Sequence, residues 1–271
     1  MTRRELLKSV EATYVSSTVG GSLVAKVFPS LAFYSRVTKT VFRASLHAQS
    51  GNFNHACWRD ASREIREAFE RCGAPVMVEN LDLFERFKEP CVIIGNHMST
   101  AETFLPAGFM VDICPVTYVV KQGLIEYPVF KHIMRATNPI VVGRNDPRQD
   151  LKTVMSVGQE RLKAGVSVII FPQKTRTVAF DPNDFNSIGV KLARKANVPV
   201  VPFAVKTDAW SNGKRLKDFG PFHPERPVHM AFGEPMPITH NGKEENAAII
   251  EFIKDRLKTW EKWDALWQKA K

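Results

Sequence analysis

Apolar positions through the first seventy residues recur at helical intervals, whereas from residue 76 onward short apolar runs alternate with helical stretches. Trp58, Ala61, Ile65, Ala68 or Phe69, and Cys72 stand three or four apart, and Gly73 sits where a helix would stop. Residues 1–72 therefore read as a helical N-terminal segment. Beyond it, runs at 76–79, 91–95, 116–120, 140–142, 167–171, 200–205 and 228–232 predict strands. Helical patterns lie near 99–110, 123–135, 147–164 and 185–196. The third has clear ends, with Asp146 as cap, Pro147 in the first turn and Gly165 after the last. A final amphipathic helix at 243–263 aligns Ile249, Ile253, Leu257 and Trp260. Such alternation predicts an α/β fold, a central largely parallel sheet covered by helices, over residues 73–271.

Composition narrows the class. Of 271 residues, 44% are hydrophobic, enough for a substantial core, so disorder is excluded away from the ends. The net charge of +10 favours anionic partners: nucleic acid, an anionic membrane surface, phosphate-bearing substrates or an acidic carrier protein. No nucleic-acid reading motif accompanies it. The four cysteines, Cys57, Cys72, Cys91 and Cys114, form no Cys-x-x-Cys pair, which points to reduced thiols rather than zinc or redox chemistry. Arg3 and Arg4 imitate the start of a signal peptide, but no apolar stretch follows them. Nor does any run reach the roughly 18 apolar residues of a spanning helix. A protein lying on a membrane remains compatible with two features. Residues 19–34 are apolar around Gly20-Gly21 and Pro29, and read as an interfacial anchor or as the cover of an apolar groove. Trp260, Trp263 and Trp267 share one helix stripe with Lys258, Lys262 and Lys269 nearby, and suit either a bilayer interface or packing on the domain.

Sites in α/β sheets gather beyond the carboxyl ends of strands. The run at 91–95 ends in Asn96-His97, and Glu102 follows five positions after the histidine. A histidine titrates near neutrality and can take a proton from an alcohol, while a carboxylate on its other ring nitrogen fixes the tautomer. Ser99-Thr100-Ala101-Glu102 equally fits a capping box, which offers Glu102 a purely structural role. No Gly-x-Ser-x-Gly elbow is present, so the nucleophile would be a substrate hydroxyl. A second block, Phe171-Pro172-Gln173-Lys174-Thr175-Arg176-Thr177, follows a strand and offers Arg176 for bidentate phosphate contact and Lys174 as a point charge, or else a solvated basic loop. Lys121 and Arg144 also follow strands, and Val198-Pro199-Val200-Val201-Pro202-Phe203 opens another.

Together, over roughly residues 75–235, these blocks resemble the glycerolipid acyltransferase family, whose members acylate lysophosphatidate or glycerol phosphate. That family carries a histidine and an aspartate with four residues between them, then an arginine block, a Phe-Pro-Glu-Gly-Thr-Arg-Ser-like block and a Val-Pro strand. The counterparts are His97 with Glu102, Arg144, residues 171–177, and Pro199 to Pro202. Glu102 replaces the aspartate, as in late acyltransferases of the lipid A type, and Gln173 and Lys174 replace glutamate and glycine. The resemblance implies an O-acyltransferase moving a fatty acyl group from acyl-CoA or acyl carrier protein to a lysophosphatidate-like acceptor. His97 would be its base, Glu102 the orienting acid, and Lys121, Arg144, Gln173, Lys174, Thr175 and Arg176 its substrate contacts. It implies no metal, no cofactor beyond the acyl donor, and a peripheral place on the cytoplasmic face of an anionic membrane. The substitutions in the second block leave open another lyso-lipid acceptor, or a non-catalytic lipid-binding relative.

Overall fold

The computed structural model describes residues 2–8, 10, 12–17 and 19–270. Its strands are β1 Tyr14–Val15, β2 Val76–Glu79, β3 Val92–Gly95, β4 Val116–Lys121, β5 Ile140–Val142, β6 Ser167–Ile170, β7 Val200–Lys206 and β8 Val228–Phe232. They form one sheet in the order β1-β2-β8-β7-β3-β6-β4-β5. Its helices are α1 Arg3–Lys8, α2 Leu23–Val27, α3 Pro29–Gln49, α4 His55–Arg71, α5 Leu83–Arg86, α6 Leu105–Met110, α7 Phe130–Ala136, α8 Pro147–Lys163, α9 Ile188–Ala196 and α10 Lys243–Lys269.

From β7 to β5 the strands run parallel. β8 turns back antiparallel to β7, β2 follows β8, and β1 opposes β2. The sheet is thus mixed and mostly parallel. Its strands read as continuous apolar runs because both faces are covered. Alternate residues divide between two cores. Ile93, Ile169, Val201, Phe203 and Val205 join one, and Val92, Ile94, Val168, Ile170 and Val200 the other.

The N-terminal helices belong to the first core. Phe33 and Val37 of α3, with Trp58, Ile65 and Phe69 of α4, pack in the same cluster as the strand residues. Phe33 stacks on Phe222 at 4.2 Å. The sequence reading differs here in one respect: residues 1–72 also contain β1, two residues long and too short to carry a periodic signal.

Two predicted helices are broken. The stretch near 99–110 is a 3₁₀ turn, Thr100–Thr103, followed by α6, with Pro106 near its start. That near 123–135 is a 3₁₀ turn, Gln122–Ile125, and then α7; Pro128 between them cannot supply the N–H that a continuous helix needs. α8 has the expected ends, the Asp146 side chain accepting from the Arg148 and Gln149 amides. α10 extends beyond the predicted 263, and its tryptophan stripe packs inward. Trp260 and Trp267 are buried, and the Arg3 guanidinium of α1 lies 4.8 Å from the Trp267 ring.

Candidate active site

β3 aims its carboxyl end at a sharp turn. Gly95 is required there, since a Cβ would stand 2.8 Å from the Phe203 carbonyl oxygen. The Asn96 side chain continues the sheet in place of backbone, donating to the Val205 carbonyl at 2.8 Å and accepting from its amide at 2.9 Å. His97 follows, free of the ladder but held on both backbone sides. Its amide donates to Gln173 Oε1 at 2.6 Å, and its carbonyl accepts from the Thr177 amide at 3.0 Å. Its ring stacks on Phe171, 4.8 Å away and 11° from parallel.

His97 Nδ1 lies 2.7 Å from Glu102 Oε2. Glu102 is fully buried. It also accepts from the amides of Met98 at 3.1 Å and Ser99 at 2.9 Å, and from the Thr207 hydroxyl. Four donors converge on one carboxylate, leaving it purely an acceptor. The Nδ1 proton therefore points at Glu102, and Nε2 is the ring nitrogen with its lone pair free. The capping box with Ser99 is formed, and the same side chain meets the histidine ring.

His97 borders a cleft of about 690 Å³. One wall is apolar and comes from α3, α7 and β4, with Val37, Val41, Phe42, Phe130, Tyr118 and Val120. The other bears cations, Arg144, Arg176, Lys121 and Lys217, with Asp218 the acid among the lining residues. Arg176 is 11% exposed and bonds Asp218 at 2.7 Å and the Thr100 hydroxyl through Nη1. Among the described residues its Nε and Nη2 have no hydrogen-bond partner. Arg144 adopts φ 65°. Asp150 in the first turn of α8 clamps that bend, accepting from the Gly143 and Arg144 amides at 2.8 Å. Arg144 Nη1 then donates to the Lys174 carbonyl at 2.8 Å.

The expected site residues divide accordingly. His97, Glu102, Lys121, Arg144, Thr175 and Arg176 are brought together around the cleft. Gln173 is buried and turned to the His97 amide and the Thr177 hydroxyl, so it braces the histidine. Lys174 is 86% exposed, pairs with Asp184 at 3.4 Å and does not line the cleft. The segment 207–222 went unread in the sequence. It supplies Thr207 to Glu102, Asn212 to the Met98 carbonyl at 2.8 Å, Lys217 to Thr175 at 2.7 Å, and Trp210, whose ring lies parallel to Phe104. Gly213 and Gly220, each crowded by backbone, were the available signs of its tight folding. Among the described residues no group of three or more His, Cys, Asp or Glu side chains is arranged to hold a metal ion.

Fold and site together define an α/β protein with a histidine–carboxylate pair at a strand's carboxyl end. Comparison with known proteins places that description. Residues 75–206 match the Acyltransferase family model. A 1-acyl-sn-glycerol-3-phosphate acyltransferase of Pseudomonas aeruginosa is 38% identical over 117 residues, 43% of this chain and 44% of that one. A probable 1-acyl-sn-glycerol-3-phosphate acyltransferase of Mycoplasma genitalium is 25% identical over 138 residues, 49% of this chain and 51% of its own. The chain thus spans about half the length of the curated relatives it matches. The crystal structure of the 1-acyl-sn-glycerophosphate (LPA) acyltransferase PlsC from Thermotoga maritima superposes with a TM-score of 0.64 at 20% identity, covering 88% of this chain and 97% of that one. It shares the fold.

Proposed function

We propose that the protein is an O-acyltransferase that moves a fatty acyl group from a thioester, acyl-CoA or acyl carrier protein, to the free hydroxyl of a lysophosphatidate-like lipid. One observation carries this reading: the His97 ring, locked through Nδ1 on Glu102, borders a cleft that is apolar on one wall and cationic on the other. An acyl chain fits the first and a phosphate the second. The family match and the relatives' names support the same reaction.

His97 Nε2 takes the proton of the acceptor hydroxyl as its oxygen attacks the thioester carbonyl. Glu102 stabilises the imidazolium that forms. The tetrahedral intermediate collapses, the carbon–sulfur bond breaks, and the imidazolium returns its proton to the thiolate. Arg176, through Nε and Nη2, and Arg144 hold the acceptor phosphate, with Lys121, Lys217 and Thr175 beside them. No covalent enzyme intermediate is needed.

The protein works on a membrane surface without spanning it. Among the described residues no helix is long and apolar enough to cross a bilayer. Large apolar side chains are nevertheless exposed where the cleft opens, Phe42, Val129 and Phe219 among them, and on α2 and the start of α3, where Leu23, Phe28 and Leu31 stand out. Surface of this kind suits an interface with lipid.

Mass spectrometry of lysophosphatidate incubated with acyl-CoA, and separately with acyl carrier protein thioesters, tests the proposal. Diacylated product from either donor is expected. Fatty acid and lyso-lipid bound without turnover from any donor would favour a lipid-binding protein instead.

A further inference from the structure

Beyond the pair, the structure assigns a third member: we propose that the Thr207 hydroxyl is a positioning group for the His97–Glu102 acid–base pair. The inference rests on the acyltransferase reading only for its kinetic arm. Thr207 is fully buried just past the end of β7, far in sequence from both partners. Its Oγ1 contacts Glu102 Oε1 and lies 2.9 Å from Ser99 Oγ.

A count of protons fixes the direction of this chain. Glu102 accepts the His97 Nδ1 proton and two amide protons, so the Thr207 proton must also point at the carboxylate. The Thr207 oxygen is then the acceptor for Ser99, whose own oxygen accepts the Ala101 amide at 3.1 Å. The order is Ser99 to Thr207 to Glu102, with the His97 ring proton meeting the opposite oxygen. Two further contacts fix Thr207 where this order needs it. Its amide lies 3.3 Å from Met98 Sδ, and Asn96 bonds both backbone groups of Val205, two residues before it. The strand that carries Thr207 and the turn that carries His97 are thereby registered against each other.

The hydroxyl has two effects. It holds the carboxylate plane at the angle His97 requires, and by bonding Oε1 it withdraws charge from the carboxylate whose Oε2 faces the ring. Without it, Glu102 attracts the imidazolium more strongly, so the ring holds its proton to higher pH. The other charged groups bordering the histidine's cleft, Arg144, Arg176, Lys39, Lys121, Lys217 and Asp218, are untouched by a change at Thr207.

Thr207→Val removes the hydroxyl at nearly constant shape, and Thr207→Ser restores it. Two readouts are made on the full chain: kcat and KM for acyl transfer across pH, and the ¹⁵N histidine NMR titration of His97. Thr207→Val is expected to lower kcat about tenfold with KM within about twofold, and to raise the His97 midpoint by on the order of half a pH unit. Thr207→Ser is expected to behave as wild type. An unmoved or lowered midpoint, or a serine variant as impaired as valine, overturns the proposal. The NMR arm needs no turnover, so a protein that transfers no acyl group would defeat the reading of its function while still reporting on Thr207.

Discussion

Two histidine–carboxylate pairs of nearly equal separation, His97–Glu102 and His229–Asp264, differ in their surroundings, and the contrast between them explains what makes one a candidate site. His97 and Glu102 sit at the carboxyl end of β3, 2.7 Å apart, with the ring 19% exposed at the edge of a cleft. His229 of β8 and Asp264 of α10 are 2.8 Å apart and almost wholly buried. The second ring is stacked on Trp260 at 5.2 Å and faced edge-on by Trp263. Its carboxylate is shared with Lys206, which in turn meets Asp208. No substrate can reach that pair. It ties the C-terminal helix to the antiparallel edge of the sheet. An acid–base pair becomes a candidate site by what its free nitrogen faces, and the His229 ring faces indole.

That contrast can be broken at several points. The largest effect is expected from His97→Ala, which should reduce acyl transfer on the order of a thousandfold or more while leaving the fold intact. His229→Ala should leave turnover per folded molecule within severalfold of wild type. Steady-state kinetics beside circular dichroism would check both. Next, Asp264→Ala removes the carboxylate that His229 and Lys206 share, leaving Lys206 with Asp208 alone. Breaking a buried pair on one side costs about 3–5 kcal/mol, and denaturant unfolding should show a loss of that order with the residual activity of the folded fraction unchanged. A smaller effect is expected from Arg176→Met, whose loss of charged hydrogen bonds should raise the acceptor KM about ten- to a hundredfold and leave the KM for the thioester nearly constant.

The smallest is a pH dependence. Burial pushes the Asp264 carboxyl up, but its hydrogen bond to His229 and the Lys206 cation outweigh burial and hold it below the usual aspartate range. A carboxyl lowered in the folded state adds stability that is complete above its unfolded value and is lost as pH falls through the folded one. The difference in unfolding free energy between wild type and Asp264→Asn should therefore shrink as pH falls below about 4. A difference that instead grew on acidification would show the lowered carboxyl to be misassigned.

The two pairs also differ in how far the sequence announced them. His97 and Glu102 are separated by four residues that form one strand-to-helix turn, so local rules placed both. The capping reading of Glu102 is met in the structure, and the carboxylate has enough lone pairs to face His97 as well. His229 and Asp264 lie on separate elements and meet only through α10 packing, which no local pattern encodes. The same limit hid Thr207, Lys217 and Asp218, which approach the site from beyond β7. The strands of the parallel block were legible because burial on both faces makes them continuous apolar runs. β1 was not, since two residues carry no period. Gln173 read as a contact for substrate because the family resemblance gives its block that role; only the crossing of that loop behind His97 shows that its amide oxygen braces the histidine.

Transfer of a labelled acyl group from acyl-CoA and from acyl carrier protein to a panel of lyso-lipids, run with wild type, His97→Ala and His229→Ala in parallel, separates the two pairs in one experiment. Acylated lysophosphatidate is expected from wild type and from His229→Ala, and none above background from His97→Ala. Equal turnover by wild type and His97→Ala would overturn the assignment of His97 as the base.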